Sequence, residues 1–356
     1  MNAVAELLAR HNPELRHDRQ IAIWLLICCV MVFAMVVLGG VTRLTGSGLS
    51  MVEWDPVFGV VPPLSQDRWH EVFDLYKQSP EYTKINIGMD LAGFKQIYWF
   101  EFAHRILGRS IGLVFFIPFA FFLVTGRIRR SLTPKLIAMF VLGGLQGVLG
   151  WYMVKSGLVD NPHVSQYRLT AHLVLAVIIY AYMFLVALDL LFERSDRYVI
   201  AISQGLRTLA TILAGLVFIT LLSGGFVAGL KAGLAYNTFP LMDGHLIPDV
   251  IFLQEPWWRN FFEDVATVQF DHRVLAIVTF TGIVVLWLVS LRQTLPAPIR
   301  IGLHFLLAAA ILQVSLGIST LLMHVPIPLA ATHQAGALLL LTVILFVNHR
   351  LAHTGK

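Results

Sequence analysis

Runs of about twenty apolar residues alternate with polar segments through almost the whole chain. Eight such runs, at approximately 21–41, 99–125, 134–154, 169–192, 207–230, 270–291, 299–322 and 330–348, are each long enough to cross a bilayer as a helix. Backbone polar groups inside hydrocarbon must be satisfied within their own segment, so this series predicts an all-α integral membrane protein. Between the first two runs the period changes. Trp69, Val72, Phe73 and Tyr76 fall at i, i+3, i+4 and i+7 after Ser65, the pattern of a short amphipathic helix with a serine cap. That helix is expected on the membrane surface, as a lid or brace.

Composition agrees with the pattern. The 356 residues are 57% hydrophobic and only 13% charged, with a mean hydropathy of +0.74, far from the values of a water-soluble domain. The net charge of +5 is modest, and the basic residues sit in short loops, which points to lipid topology and away from nucleic acid. Arg10, Arg16 and Arg19, then Arg127, Arg129, Arg130 and Lys135, then Arg194, Arg197 and Arg207, then Arg292 and Arg300, all fall on one side. The positive-inside tendency makes that side cytoplasmic, with both termini on it. The long loops 42–98, 155–168 and 231–269 carry most of the Asp and Glu and are expected in the periplasm. Glu6, Glu14 and Asp18 beside the N-terminal arginines, with no cleavage site after the first span, argue against a cleaved signal or transit peptide and favour a bacterial inner membrane. Cys28 and Cys29 are neighbours on one helix, point in different directions and are expected to pack rather than bridge.

An internal repeat organises the spans. Phe102-Ala-His104-Arg105-Ile-Leu returns as Phe270-Asp-His272-Arg273-Val-Leu, and Leu145-Gln146-Gly-Val-Leu-Gly150 as Leu312-Gln313-Val-Ser-Leu-Gly317. More loosely, Leu169-Thr-Ala-His172 matches Ala330-Ala-Thr-His333, and Gly39-Gly40 matches Gly224-Gly225. Four spans repeating as four spans predict two pseudo-symmetric four-helix bundles of the same orientation. The expected layout is a cytoplasmic segment 1–20, a first bundle 21–192 containing the long loop 42–98, a linker 193–206, a second bundle 207–348 and a tail 349–356. Gly143, Gly144, Gly147 and Gly150 give the third span a small-residue face suited to close helix contact. That face is expected to meet either a neighbour within the bundle or another subunit.

The repeat sorts the histidines. His104 and His172 open the second and fourth spans, His272 and His333 the sixth and eighth, all near the periplasmic face. Two imidazoles per bundle, without the further ligands of a zinc site, fit the axial positions of a haem iron. His11, His17, His70, His163, His245, His324, His349 and His353 lie outside this symmetry and are expected to be solvated; His304 is expected to pack. The halves differ at one titratable position. Glu101 stands three residues before His104, where the second copy has Gln269 before His272. Glu101 and His104 share a helix face, so the carboxylate can act on a bound group, complement the helix N-terminus, or pair with Arg105 one turn on. Arg105, Arg109 and Arg273 are expected either on haem propionates or on lipid headgroups.

Gly39-Gly-Val-Thr-Arg43-Leu-Thr-Gly-Ser-Gly48-Leu-Ser-Met-Val-Glu-Trp54, Val61-Pro62-Pro63-Leu64, Phe100-Glu101-Phe-Ala-His104-Arg105, Tyr236-Asn-Thr-Phe-Pro240-Leu-Met-Asp-Gly244, Asp271-His272-Arg273 and Thr332-His333-Gln334 together resemble the haem A synthase family in its alphaproteobacterial and mitochondrial branch. The resemblance covers essentially the whole chain. It implies oxidation of a methyl group of haem O to the formyl group of haem A, for cytochrome oxidase biogenesis. It implies substrate haem O in the first bundle, facing His104 and His172 with Glu101 as catalytic acid. It also implies a resident haem b in the second bundle on His272 and His333, through which electrons are expected to reach the first site. Some bacterial members carry a cysteine pair in the first periplasmic loop; this loop has none, so no redox role of such a pair applies. Expected partners are haem O and haem A, membrane lipids, a haem O synthase and an electron donor. Two other readings fit the spans: a bis-histidine haem b electron-transfer subunit, and a parallel-repeat transporter.

Overall fold

The computed structural model describes residues 13–53, 59–158, 162–192 and 203–353. Most of the N-terminal segment 1–20, with His11, most of the linker 193–206, Trp54 and the last three residues of the tail lie outside them. The described residues are helical and contain no named strand. Among the described residues, eight helices are long and apolar enough to cross a membrane. They are α1 (Pro13–Leu44), α4 (Leu91–Val124), α5 (Thr133–Gly157), α6 (Gln166–Leu191), α7 (Gln204–Gly229), α8 (Val265–Ser290), α9 (Ala297–Leu322) and α10 (Ile327–Ala352). Two short helices, α2 (Gln66–Lys77) and α3 (Pro80–Lys84), lie in the first long loop.

Their outward faces carry Leu113, Phe116, Ile117, Val141, Val148, Ile277 and Phe305, all exposed. Such a surface is stable only against lipid. Helix neighbours match between halves: α1 lies against α4 and α6, α5 against both, and in the same way α7 lies against α8 and α10, α9 against both. The halves meet along α6, α7, α10 and α1. Tyr180 and Thr342 hydroxyls lie 2.7 Å apart across that seam, and Gln334 Nε2 donates to Val36 O at 2.8 Å. Both cysteines are buried and unbridged, and Cys29 donates weakly to Tyr180 O.

Two spans begin eight residues before their apolar runs, the first at Pro13 and the second at Leu91. Asp90 caps α4 by accepting from Gly93 N at 2.8 Å. The added turns are covered by α2, whose Trp69 ring lies 5.0 Å from Tyr98 and whose Phe73 and Tyr76 rings each lie 5.0 Å from Phe94. Aromatic burial here does what the bilayer does elsewhere. The amphipathic helix is capped by Ser65 as expected, and it braces α4.

The small-residue face of the third span makes little contact within the chain. Gly143, Gly144 and Gly147 are exposed, with open space beside them, and Gly150 alone of the four is approached, by a histidine.

Candidate functional site

Each of the four symmetry-related histidines is seated against a glycine of a neighbouring helix. A Cβ on Gly39 of α1 would lie 3.0 Å from His104 Cε1, and one on Gly150 of α5 would lie 3.0 Å from His172 Cε1. In the second half the matching distances are 3.3 Å from Gly224 of α7 to His272 and 2.8 Å from Gly317 of α9 to His333. These glycines are the ones the repeat aligns. Their lack of a side chain lets an imidazole lie against the neighbouring backbone.

The rings are half-buried. His104 lies near enough to His172, and His272 to His333, for their charges to be felt, so each half brings its own two histidines together. Nδ1 of His104, His172 and His333 is buried without a hydrogen-bond partner, so the accessible side of each ring is the side away from Nδ1. Gln146 Nε2 donates to His172 O and Gln313 Nε2 to His333 O, both at 3.0 Å. This pair of glutamines holds the backbone of the fourth-span and eighth-span histidines in place. The repeat contained both glutamines, but nothing in sequence spacing tells a carbonyl clamp from a core amide.

The halves differ at their nitrogens. Ser223 Oγ lies 2.7 Å from His272 Nδ1 and donates its own proton to Thr220 O at 2.7 Å. His272 Nδ1–H must therefore be the donor to Ser223, which leaves the Nε2 lone pair for a metal. The position matching Ser223 is Leu38, so His104 has no such orienting hydroxyl. In the first half, Gln146 Nε2 instead lies 3.4 Å from His172 Nε2.

Glu101 and Gln269 have parallel surroundings. Arg105 donates to Glu101 Oε1 from Nη2 at 2.6 Å and from Nε at 3.1 Å. Ser50 Oγ and Met51 N donate to Oε2 at 2.7 and 2.8 Å. Arg105 also donates to Met51 O at 2.9 Å and Glu53 O at 3.3 Å. The ion pair is almost fully buried, with 4% and 11% of the two side chains exposed. In the second half Arg273 donates to Gln269 Oε1, Tyr236 O, Thr238 O and Leu241 O, and Gln269 Nε2 donates to Ala232 O. Each Arg therefore ties a polar loop to the helix that carries a histidine. Beside the propionates or headgroups expected for them, Arg105 and Arg273 have protein partners: Glu101 or Gln269 one turn back, and loop carbonyls whose number and direction a sequence does not display. Of the three alternatives for Glu101, the pairing with Arg105 is present.

Of two other histidines, one agrees with expectation and one does not. His304 accepts from Trp287 Nε1 at 3.0 Å, a packing contact. His349 is buried, not solvated, because Asp189 of α6 meets its Nε2 at 3.0 Å.

In the first loop, Glu81 is buried under α2, accepting from Tyr76 OH at 3.1 Å, and Asn86 Nδ2 donates to the same hydroxyl at 2.8 Å. Burial pushes the Glu81 carboxyl up to about 7; the Tyr76 hydrogen bond opposes that rise and the charge of Glu101 adds to it.

Residues 22–345 match the family model described as cytochrome oxidase assembly protein, COX15-CtaA. The chain is 59% identical to the Heme A synthase of Nitrosospira multiformis over 334 residues, 94% of each chain. It is 52% identical to the Heme A synthase of Paramagnetospirillum magneticum over 353 residues, 99% of each. It is 47% identical to Heme A synthase COX15 of Bos taurus over 350 residues, 97% of this chain and 85% of the bovine one.

Proposed function

The chain belongs to the COX15-CtaA family of cytochrome oxidase assembly proteins, and from that membership we propose that it is a haem A synthase, a membrane oxidoreductase that converts haem O to haem A. The observation that carries this reading is the pairing of four glycine-seated histidines, two per half, in a chain so similar to proteins of that name. The glycine cradles, with the Nδ1 side of the rings buried and the Nε2 side left accessible, suit a flat, iron-bearing macrocycle set between helices.

His272 and His333 hold a resident haem b in the C-terminal half, 207–348, and His104 and His172 receive haem O in the N-terminal half, 21–192. The division is supported by the hydroxyl of Ser223, which fixes the His272 tautomer in advance, as a permanent ligand requires. When bound there, haem b supplies one-electron redox chemistry that no side chain has. The side chains do the rest. His104 and His172 orient the substrate, and the Arg105–Glu101 pair with Ser50 closes loop 45–53 over the end of α4. Glu101, whose place in the second copy is taken by Gln269, is the candidate proton-handling residue. The Ser50 hydroxyl on its Oε2 gives it an exchangeable neighbour.

The histidine layer faces the periplasm, and the arginine-rich short loops face the cytoplasm. Substrate as apolar as haem O arrives through the membrane, suited to lateral transfer from a haem O synthase. Purified His272→Ala and His333→Ala variants should lose or shift the absorbance of the resident haem, whereas His104→Ala and His172→Ala should keep it and lose conversion. An unchanged spectrum in the first pair would overturn the ligand assignment.

A further inference from the structure

At the end of the bundle opposite the haem histidines, three potential metal ligands converge. Asp189 lies 17 residues after His172 on α6, about 25 Å farther along the helix. His349 and His353 are one turn apart at the end of α10, so they share a face. His349 Nε2 lies 3.0 Å and His353 Nε2 3.9 Å from the same oxygen, Asp189 Oδ1. All three ligand atoms fall within 4.8 Å of one another. Donors around a tetrahedral zinc ion are separated by roughly 3.3 Å, so small rotamer changes would bring the set to coordination distance.

Hydrogen bonding fixes what His353 presents to the carboxylate. Its Nδ1 lies 2.7 Å from His349 O. A carbonyl only accepts, so Nδ1 carries the proton and, in the neutral ring, Nε2 is a lone pair. That lone pair faces Asp189 Oδ1, a second acceptor. Two acceptors directed at one point call for a cation between them. His349 completes the site from a buried position, with 3% of its side chain exposed, and its ring stacks on that of His353 with centroids 4.2 Å apart. Lys135 of α5 is 3.8 Å from the other carboxylate oxygen, Oδ2, and leaves Oδ1 to the two imidazoles.

We propose that Asp189, His349 and His353 bind a divalent transition-metal ion of zinc-like ligand preference, which clasps the N-terminal half to the C-terminal half at the face opposite the haem sites. Two imidazoles and one carboxylate, with a further position open to water, are a donor set such ions take, whereas magnesium or calcium would require more oxygens. Binding releases the proton shared by His349 Nε2 and Asp189 Oδ1 to solvent, and zinc takes its place. Nothing in this site depends on the haem assignment.

The test uses full-length protein in detergent, purified through an affinity tag without histidine. Zinc affinity is read by competition with a chromophoric chelator and stoichiometry by elemental analysis after gel filtration. Wild type should hold one zinc per chain at this site. Asp189→Asn and His353→Ala should each weaken its binding about tenfold or more while eluting as wild type does. His353 is partly exposed, with 39% of its side chain accessible, so its truncation leaves the core intact. A wild type that holds no stoichiometric zinc, or variants that bind it equally tightly, would overturn the proposal.

Discussion

Gly317 lies so close to His333 that a methyl group on it would stand 2.8 Å from the imidazole Cε1. The equivalent distance at Gly224 and His272 is 3.3 Å. The two seats therefore differ in how much a side chain would disturb them. Gly317→Ala should displace the His333 ring at an overpacking cost of about 1–3 kcal/mol, and Gly224→Ala should cost less. Haem content and thermal stability of the purified variants check the order. Equal behaviour of the two would mean that the seats do not position the ligands.

Ser223 gives a second prediction. Ser223→Ala removes the acceptor of His272 Nδ1–H and frees the ring to change tautomer. Retention of the resident haem should fall on the order of tenfold, and its reduction potential should shift. Ser223→Thr, which restores the hydroxyl, should recover both. An alanine variant with wild-type potential and haem content would remove Ser223 from the ligand's support.

Glu101 is best tested with the isostere already present at position 269. Glu101→Ala would strand Arg105 without its buried partner, at about 3–5 kcal/mol, and would confound stability with chemistry. Glu101→Gln keeps the shape and most of the hydrogen bonds. If the charge handles protons, both haems remain bound and conversion falls on the order of a hundredfold. Full conversion by the Gln variant would make Glu101 a brace like Gln269.

The buried carboxyl of Glu81 sets a pH dependence for the loop above the first site. Its folded pKa of about 7 is above that of an exposed carboxyl, so the folded loop binds the proton more tightly than the unfolded one. The loop is accordingly most stable at low pH and loses stability as pH rises from about 4.5 through 7, by on the order of 3 kcal/mol in all. Hydrogen exchange over residues 66–86 should be faster at pH 8.5 than at pH 5.5, after correction for intrinsic rates, and Glu81→Gln should flatten the difference. A wild-type loop equally protected at both values would contradict the account.

The spans, the repeat and the four histidines were all legible in the sequence because each depends on local pattern: apolar length, identical motifs at constant offset, and imidazoles at matched places. What stayed hidden depends on approach between helices. The glycine seats required knowing which backbone faces His104 or His333. Gly143, Gly144 and Gly147 have the composition of a contact face yet look outward. The loop carbonyls that Arg105 and Arg273 bind are not visible in the sequence. The extra turns of α4 were missed because an aromatic cluster, not an apolar run, buries them. Nothing local in the sequence marks His349 as buried, because its partner, Asp189, is 160 residues away.

The most direct test is chemical. The protein is expressed in cells that make haem O, its haem is extracted, and the masses are determined. Haem A beside haem b, with haem A lost in His104→Ala, is the predicted result. Haem b alone in a protein that leaves supplied haem O unaltered would contradict the account and identify an electron-transfer cytochrome instead.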